Sequence, residues 1–236
     1  SSRMFEFVYK MFGEGHAAIP KSGMEAIPKQ LLNNLKNTTF HYNTEVANVK
    51  ERQITLKNGN TLESDFTILT IPANSLVSNL KKQSIEWRSC LTLYFETTTR
   101  VINKPLIGLI AKPGSLVNNI VYNSSLSSVT KPAHELLCVT VIDDQNLSDH
   151  KLVTAVEDEL KVLCDITIIR FIKQYRITKA LPKLENLKYE MKPSEMQLSK
   201  SLFVAGDTQL NASFNAAMIS GEQAALAVIK AATNSI

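Results

Sequence analysis

Leu202-Phe203-Val204-Ala205-Gly206-Asp207, followed by a short loop and then Ser213-Phe214-Asn215-Ala216-Ala217-Met218-Ile219-Ser220-Gly221, is the stretch whose reading decides the fold. A short apolar run closing on Gly-Asp reads as a buried strand that stops at a tight turn. Beyond the loop, Ala216, Ala217, Gly221, Ala224, Ala225, Val228 and Ile229 recur at helical spacing. So many small residues predict a helix lying close against something flat. Ser213 stands where an N-cap belongs, so the first-turn amides of that helix would point back toward the Gly-Asp turn. A strand end, an acid and an open helix N-terminus form a site for a polar, partly anionic ligand. On spacing alone, the ordinary strand-loop-helix ending of an α/β protein reads the same way, with Gly206 no more than a turn residue.

The rest of the composition narrows the classes. A chain of 236 residues suits one large or two small domains, and 44% hydrophobic with 20% charged residues is ordinary for a globular protein. The net charge of +4 is spread along the chain, which argues against nucleic acid as a partner, since that needs a concentrated basic face. Cys90, Cys138 and Cys164 are odd in number, far apart and flanked by apolar residues. They read as buried free thiols of a reducing compartment, hence a cytoplasmic location. No apolar run approaches transmembrane length and no signal peptide is visible. The four histidines, His16, His41, His134 and His150, lack metal-ligand spacing, so no metal is expected. Neither a nucleophile motif nor a placed carboxylate pair is present, and Glu157-Asp158-Glu159 reads as a solvated helix face.

Upstream of the tail, Met4, Phe5, Val8, Tyr9 and Phe12 predict an amphipathic first helix, ended by Gly13-Glu14-Gly15. Ser22 and Glu25 have capping-box spacing ahead of a stripe of Met24, Ile27, Leu31, Leu32 and Leu35. Pro28 falls inside that stripe and predicts a short initial turn before the main helix, or a kink. Residues 40–49 read as a strand, and residues 53–57 and 60–63 as a hairpin closed by Asn58-Gly59 in a type I′ turn. A buried strand is expected over 66–71, stopped by Pro72. From about residue 83 the chain becomes β-rich, with strands near 90–95, 106–111, 119–122, 136–142 and 166–177. One helix interrupts them, capped by Ser148 or Asp149 and carrying Leu152, Val153, Val156, Leu160 and Leu163. These alternations give an α+β class.

Two blocks carry a resemblance. The tail "LFVAGDTQLNASFNAAMISGEQAALAVI", the segment "IPKSGMEAIP" at 19–28 and the order "NTEVANV … DFTILTIP" between 43 and 72 are similar to the flavin-containing amine oxidase family, related to phytoene desaturases and protoporphyrinogen oxidases. The match is specific over 19–72 and 199–226, with Ser22 in place of the first Gly of a Gly pair, and only architectural between. The resemblance implies FAD as cofactor, with Val46 at the adenine through its backbone and Gly206 and Asp207 at the ribitol phosphate. It places Ser213, Phe214, Asn215 and Ala216 at the flavin ring. It also implies a Rossmann-like FAD-binding domain whose C-terminal part is residues 13–82 and 199–236. Residues 1–12 and 83–198 would form an inserted substrate domain with a mixed or antiparallel sheet flanked by helices.

No G-x-G-x-x-G occurs among the eight glycines, and the chain opens on Ser1-Ser2-Arg3. The sequence therefore reads as the C-terminal portion of a longer FAD-dependent oxidoreductase that takes hydride from a small or apolar molecule. On this reading the portion alone is inactive and self-associates through its uncovered cofactor side. The alternative is a non-catalytic binding module that keeps the fold without the cofactor. The loop Thr208-Gln209-Leu210-Asn211-Ala212 has no aromatic residue, so a desaturase-like activity fits as well as amine oxidation.

Overall fold

The computed structural model describes residues 2–13, 15, 18–77, 85–126, 133–184 and 187–234. In chain order these form α1 (Ser2–Gly13), α2 (Ala26–Asn34), β1 (Val46–Lys50), β2 (Gln53–Leu56), β3 (Thr61–Glu63) and β4 (Thr67–Leu69). They continue as β5 (Trp87–Thr97), β6 (Gly108–Leu109), β7 (Val117–Tyr122), β8 (Glu135–Val141), α3 (Asp149–Cys164), β9 (Ile168–Pro182), β10 (Leu202–Val204) and α4 (Phe214–Thr233). The expected residues Glu14, His16, 78–82 and 235–236, and the Met4 and Phe12 side chains, lie outside the described set.

The chain divides into two compact units, one of Ser1–Lys10, Leu35–Glu86 and Pro182–Ile236, the other of Met11–Asn34 and Trp87–Leu181. In the first unit β10 runs parallel to β4, Phe203 opposite Ile68. This pairing joins residues far apart in sequence, both in blocks that the family resemblance assigns to the cofactor side. Beside it lies an antiparallel sheet in the order β1-β2-β3. The turn at Glu51-Arg52 is tied to the start of β10, because Ser201 donates its amide (3.0 Å) and its hydroxyl to Glu51 Oε2. The Asn58-Gly59 hairpin exists, but its turn is not type I′. Only Gly59 has positive φ (88°), and the Leu56 amide donates to the Asn60 carbonyl. Three loop residues with a left-handed Gly last make a type I turn with a bulge, which spares Asn58 the strain.

α4 packs on β10 around Met196, Phe203, Ala205, Ala224 and Ala227. Its buried line is Ala216, Ser220, Ala224 and Ala227, whereas Ala225 and Ile229 are exposed, so the face is rotated from the expected one. Small side chains on the buried line bring the helix axis close to the strand.

The second unit is the more legible one. Its sheet has the order β6-β7-β8-β5-β9, antiparallel wherever β6, β7, β8 and β5 meet. Leu152, Val156 and Leu160 of α3 are essentially solvent-free against Leu91, Leu93, Phe95, Leu137 and Val139, as their spacing predicts. Glu159 departs from the solvated face expected of it, accepting hydrogen bonds from the amides of Leu116 and Val117, each at 3.0 Å. Of the cysteines only Cys138 is buried; Cys90 and Cys164 are half-buried, and all three are free thiols.

The capping box expected at Ser22 and Glu25 does not form. A turn from Pro20 to Gly23 comes first and α2 starts at Ala26, which puts Pro28 in the first turn, where its missing donor costs nothing. The α2 stripe finds no cover among the described residues: Leu31 and Leu35 are about half exposed, at 53% and 50%.

Candidate functional site

The corner between β10 and α4 is built from the backbone outward. β10 is wholly buried and delivers the chain to Gly206 at φ 142° and ψ 161°, a region that only glycine enters without strain. The Gly206 amide donates to the hydroxyl of Ser220 at 2.8 Å, and that hydroxyl donates to the Ala217 carbonyl at 2.9 Å. The strand end is thereby fixed to the second turn of α4. Ser220 is fully buried and was not singled out as a site residue. Its signal was present as a small polar residue seven positions after the cap, on the helix's inner line.

Asp207 opens a single 3-10 turn over Asp207–Gln209. Its Oδ1 accepts from the Thr208 amide at 2.9 Å, and its carbonyl accepts from the amides of Leu210 (3.1 Å) and Ala212 (3.0 Å). Asp207 Oδ2 has no partner among the described residues. The loop so closed leads directly into Ser213, whose hydroxyl accepts from the Ala216 amide at 3.0 Å and donates to Asn211 Oδ1 at 2.6 Å. Ser213 is thus the N-cap that its position predicts. The amides of Phe214 and Asn215 lie in the first turn, where no helical carbonyl stands four residues back, so they project from the positive end of a 20-residue helix. Phe214 and Asn215 are exposed, while Ala216 is buried.

The last predicted residue, Val46, begins β1 and lines a groove of about 740 Å³ with Thr44, Ile54, Ile68, Thr70 and Ile71. Thr70 also borders Gly206, whose added Cβ would lie 3.8 Å from the Thr70 carbonyl oxygen. Gly206, Asp207 and Ser213 to Ala216 therefore form one corner. Val46 belongs to the groove on the other flank of the same strand end.

These residues suit the pyrimidine edge and ribitol of a flavin. Two open amides at a helix N-terminus match a part-anionic ring edge, a free carboxylate oxygen accepts from hydroxyls, and the side-chain-free Gly206 allows close approach. The model of flavin containing amine oxidoreductases matches residues 2–229. The chain belongs to that family. No curated protein matches its sequence. An oxidoreductase from Methanosarcina mazei superposes at TM-score 0.68 and 12% identity, over 94% of this chain and 58% of its own. A protein described as a protoporphyrinogen oxidase from Exiguobacterium sp. 255-15 gives TM-score 0.65 at 15% identity, over 88% and 51%. A double mutant of putrescine oxidase gives 0.59 at 12%, over 88% and 53%. At such identities the likeness concerns the fold, and this amine oxidoreductase-family chain spans little more than half the length of those structures. No described helix is long and apolar enough to cross a membrane.

Proposed function

We propose that this chain supplies the flavin-ring half of an FAD site in an oxidoreductase acting on a small or apolar molecule. The observation that carries the reading is the Gly206–Ser220 clasp, which holds a side-chain-free strand end beside the open N-terminus of α4. Bound FAD would supply the redox chemistry, accepting hydride from the substrate. The amides of Phe214 and Asn215 would bind the part-anionic ring edge, Asp207 Oδ2 would accept from ribitol hydroxyls, and Val46 would meet the adenine through its backbone. Residues 13–82 and 199–236 would then be the cofactor-side domain. Residues 1–12 and 83–198 would be the substrate-side domain, with the sheet under α3 recognising the substrate.

The pyrophosphate-binding glycine loop would come from polypeptide outside residues 1–236, because no G-x-G-x-x-G exists within them. Residues 1–236 alone would then be inactive. They would associate through exposed apolar side chains such as Met218, Leu226 and Ile229 of α4.

Backbone amide NMR of residues 1–236 titrated with FAD tests the reading. Shifts confined to Val46, Gly206, Asp207 and 213–216 are expected at high FAD concentration. Shifts centred elsewhere, or none at saturating FAD, overturn it.

A further inference from the structure

The carboxylate of Glu159 sits in a receptor that the segment ahead of β7 builds from its own residues. Lys112-Pro113-Gly114-Ser115 is a tight turn: the Ser115 amide donates to the Lys112 carbonyl at 3.2 Å, and Gly114 has φ 76°. Proline at the second position and a left-handed glycine at the third are what a type II turn favours. The loop before α3 braces it, because Gln145 Nε2 donates to the Gly114 carbonyl at 3.2 Å. The turn thus holds its shape without calling on Glu159.

Directly after the turn, three donors converge on that one carboxylate. The Leu116 amide donates to Glu159 Oε2 and the Val117 amide to Oε1, each at 3.0 Å. The Ser115 hydroxyl donates to Oε1 as well. Lys112 supplies an opposite charge nearby. Leu116 and Val117 are buried, so their amides are left short of a partner when the carboxylate is withdrawn. Two successive amides, each given to a different oxygen, match a flat two-oxygen group. A phosphate would bring further oxygens and a second charge, for which only Lys112 is at hand.

We propose that Lys112–Val117 is a carboxylate-binding site whose resident ligand is the side chain of Glu159, and that a small carboxylate from solution competes for it. In the parent chain the tethered side chain wins, because linkage gives it a high effective concentration. The helix α3 is therefore held to the turn by a replaceable ligand. The site lies within Trp87–Leu181 of the second unit and does not rest on the flavin reading.

Glu159→Ala is the informative variant, because alanine keeps the Cβ and the atoms removed correspond to acetate. Acetate is titrated into this variant and into the parent at constant ionic strength, with backbone amides followed by NMR and unfolding followed by heating. In the variant, saturable shifts are expected at Ser115, Leu116 and Val117, with a rise in Tm that chloride and acetamide do not give. The parent should bind acetate more weakly by about tenfold or more, since its own side chain competes. Adding Lys112→Gln to the variant leaves the amides in place and should weaken acetate. If Glu159→Ala is unfolded alone, acetate should restore its dispersed amide resonances, because the turn and its donors remain. Four results overturn the proposal: no saturable shift at 115–117 in near-molar acetate, equal binding by parent and variant, equal rescue by acetamide, or a variant unfolded with and without acetate. Phosphate binding as tightly as acetate would overturn the assignment to carboxylates. Failure here leaves the FAD titration intact, since the two are read at different amides.

Discussion

Gly206 and Ser220 hold the candidate site together, and their substitution ranks the forces involved. At φ 142° an alanine would meet no steric obstacle nearer than 3.8 Å, so the penalty of Gly206→Ala is backbone strain. Strain of that kind costs about 1–3 kcal/mol. Ser220→Ala strands the Gly206 amide beside a buried helix face, a loss of about 1–3 kcal/mol, offset by about 0.5 kcal/mol of better helix propensity. Ser213→Ala removes a single N-cap acceptor at a half-buried position, about 1 kcal/mol. Urea unfolding at constant slope is expected to place Gly206→Ala at or above Ser213→Ala. Ser220→Ala should shift the Gly206 amide resonance, whereas Ser213→Ala should shift that of Ala216. A Ser220→Ala chain with an unmoved Gly206 resonance would contradict the clasp.

Among whole elements, α3 shows how a carboxylate ties a helix to a sheet. Burial pushes the Glu159 carboxyl upward, but hydrogen bonds from Ser115, Val117 and Leu116 and the nearby charge of Lys112 outweigh it. The carboxyl is held below its ordinary value of 4.5. A carboxylate with a depressed folded pKa adds stability that is fully present above the unfolded value and is lost as pH falls through the folded one. Glu159→Gln should therefore unfold at lower temperature than the parent at neutral pH, the gap closing as pH falls below the ordinary carboxylate value of 4.5 and through the lowered folded one. A gap independent of pH would assign the loss to packing. This contact was hidden in the sequence, where Glu157-Asp158-Glu159 reads as surface, because only the fold brings 115–117 beside the third acid. The inner stripe of α3 was legible, since Leu152, Val156 and Leu160 repeat at helical spacing above one sheet. For α4 the same pattern indicated a helix but not its face. With small residues nearly all round, the choice between Ala225 and Ala227 falls to the Gly206–Ser220 bond, a tertiary contact that spacing does not encode. The cap at Ser213 could be read because it involves only neighbours.

For the molecule as a whole, affinity for FAD follows from which contacts residues 1–236 can make. A dinucleotide is gripped mainly at its pyrophosphate, by a glycine-rich loop and a helix N-terminus after a strand. The chain has no such loop sequence, and on the reading proposed above its corner at Gly206, Asp207 and 213–216 would reach the flavin end only. Each charge-assisted hydrogen bond forgone is worth roughly 1.5–3 kcal/mol, so losing several weakens binding by orders of magnitude. Against this stands the rigidity of the corner, where the Ser220 clasp, the Asp207 turn and the Ser213 cap leave little to order on binding. Rigidity lowers the entropic cost but creates no partner for the phosphates, so the missing contacts dominate. Calorimetric titration of residues 1–236 with FAD is expected to give a Kd weaker than micromolar, with riboflavin bound nearly as well as FMN, which adds a phosphate but no adenine. Micromolar or tighter binding of FAD, or a strong preference for FMN over riboflavin, would require a phosphate site within these 236 residues and would contradict the half-site reading.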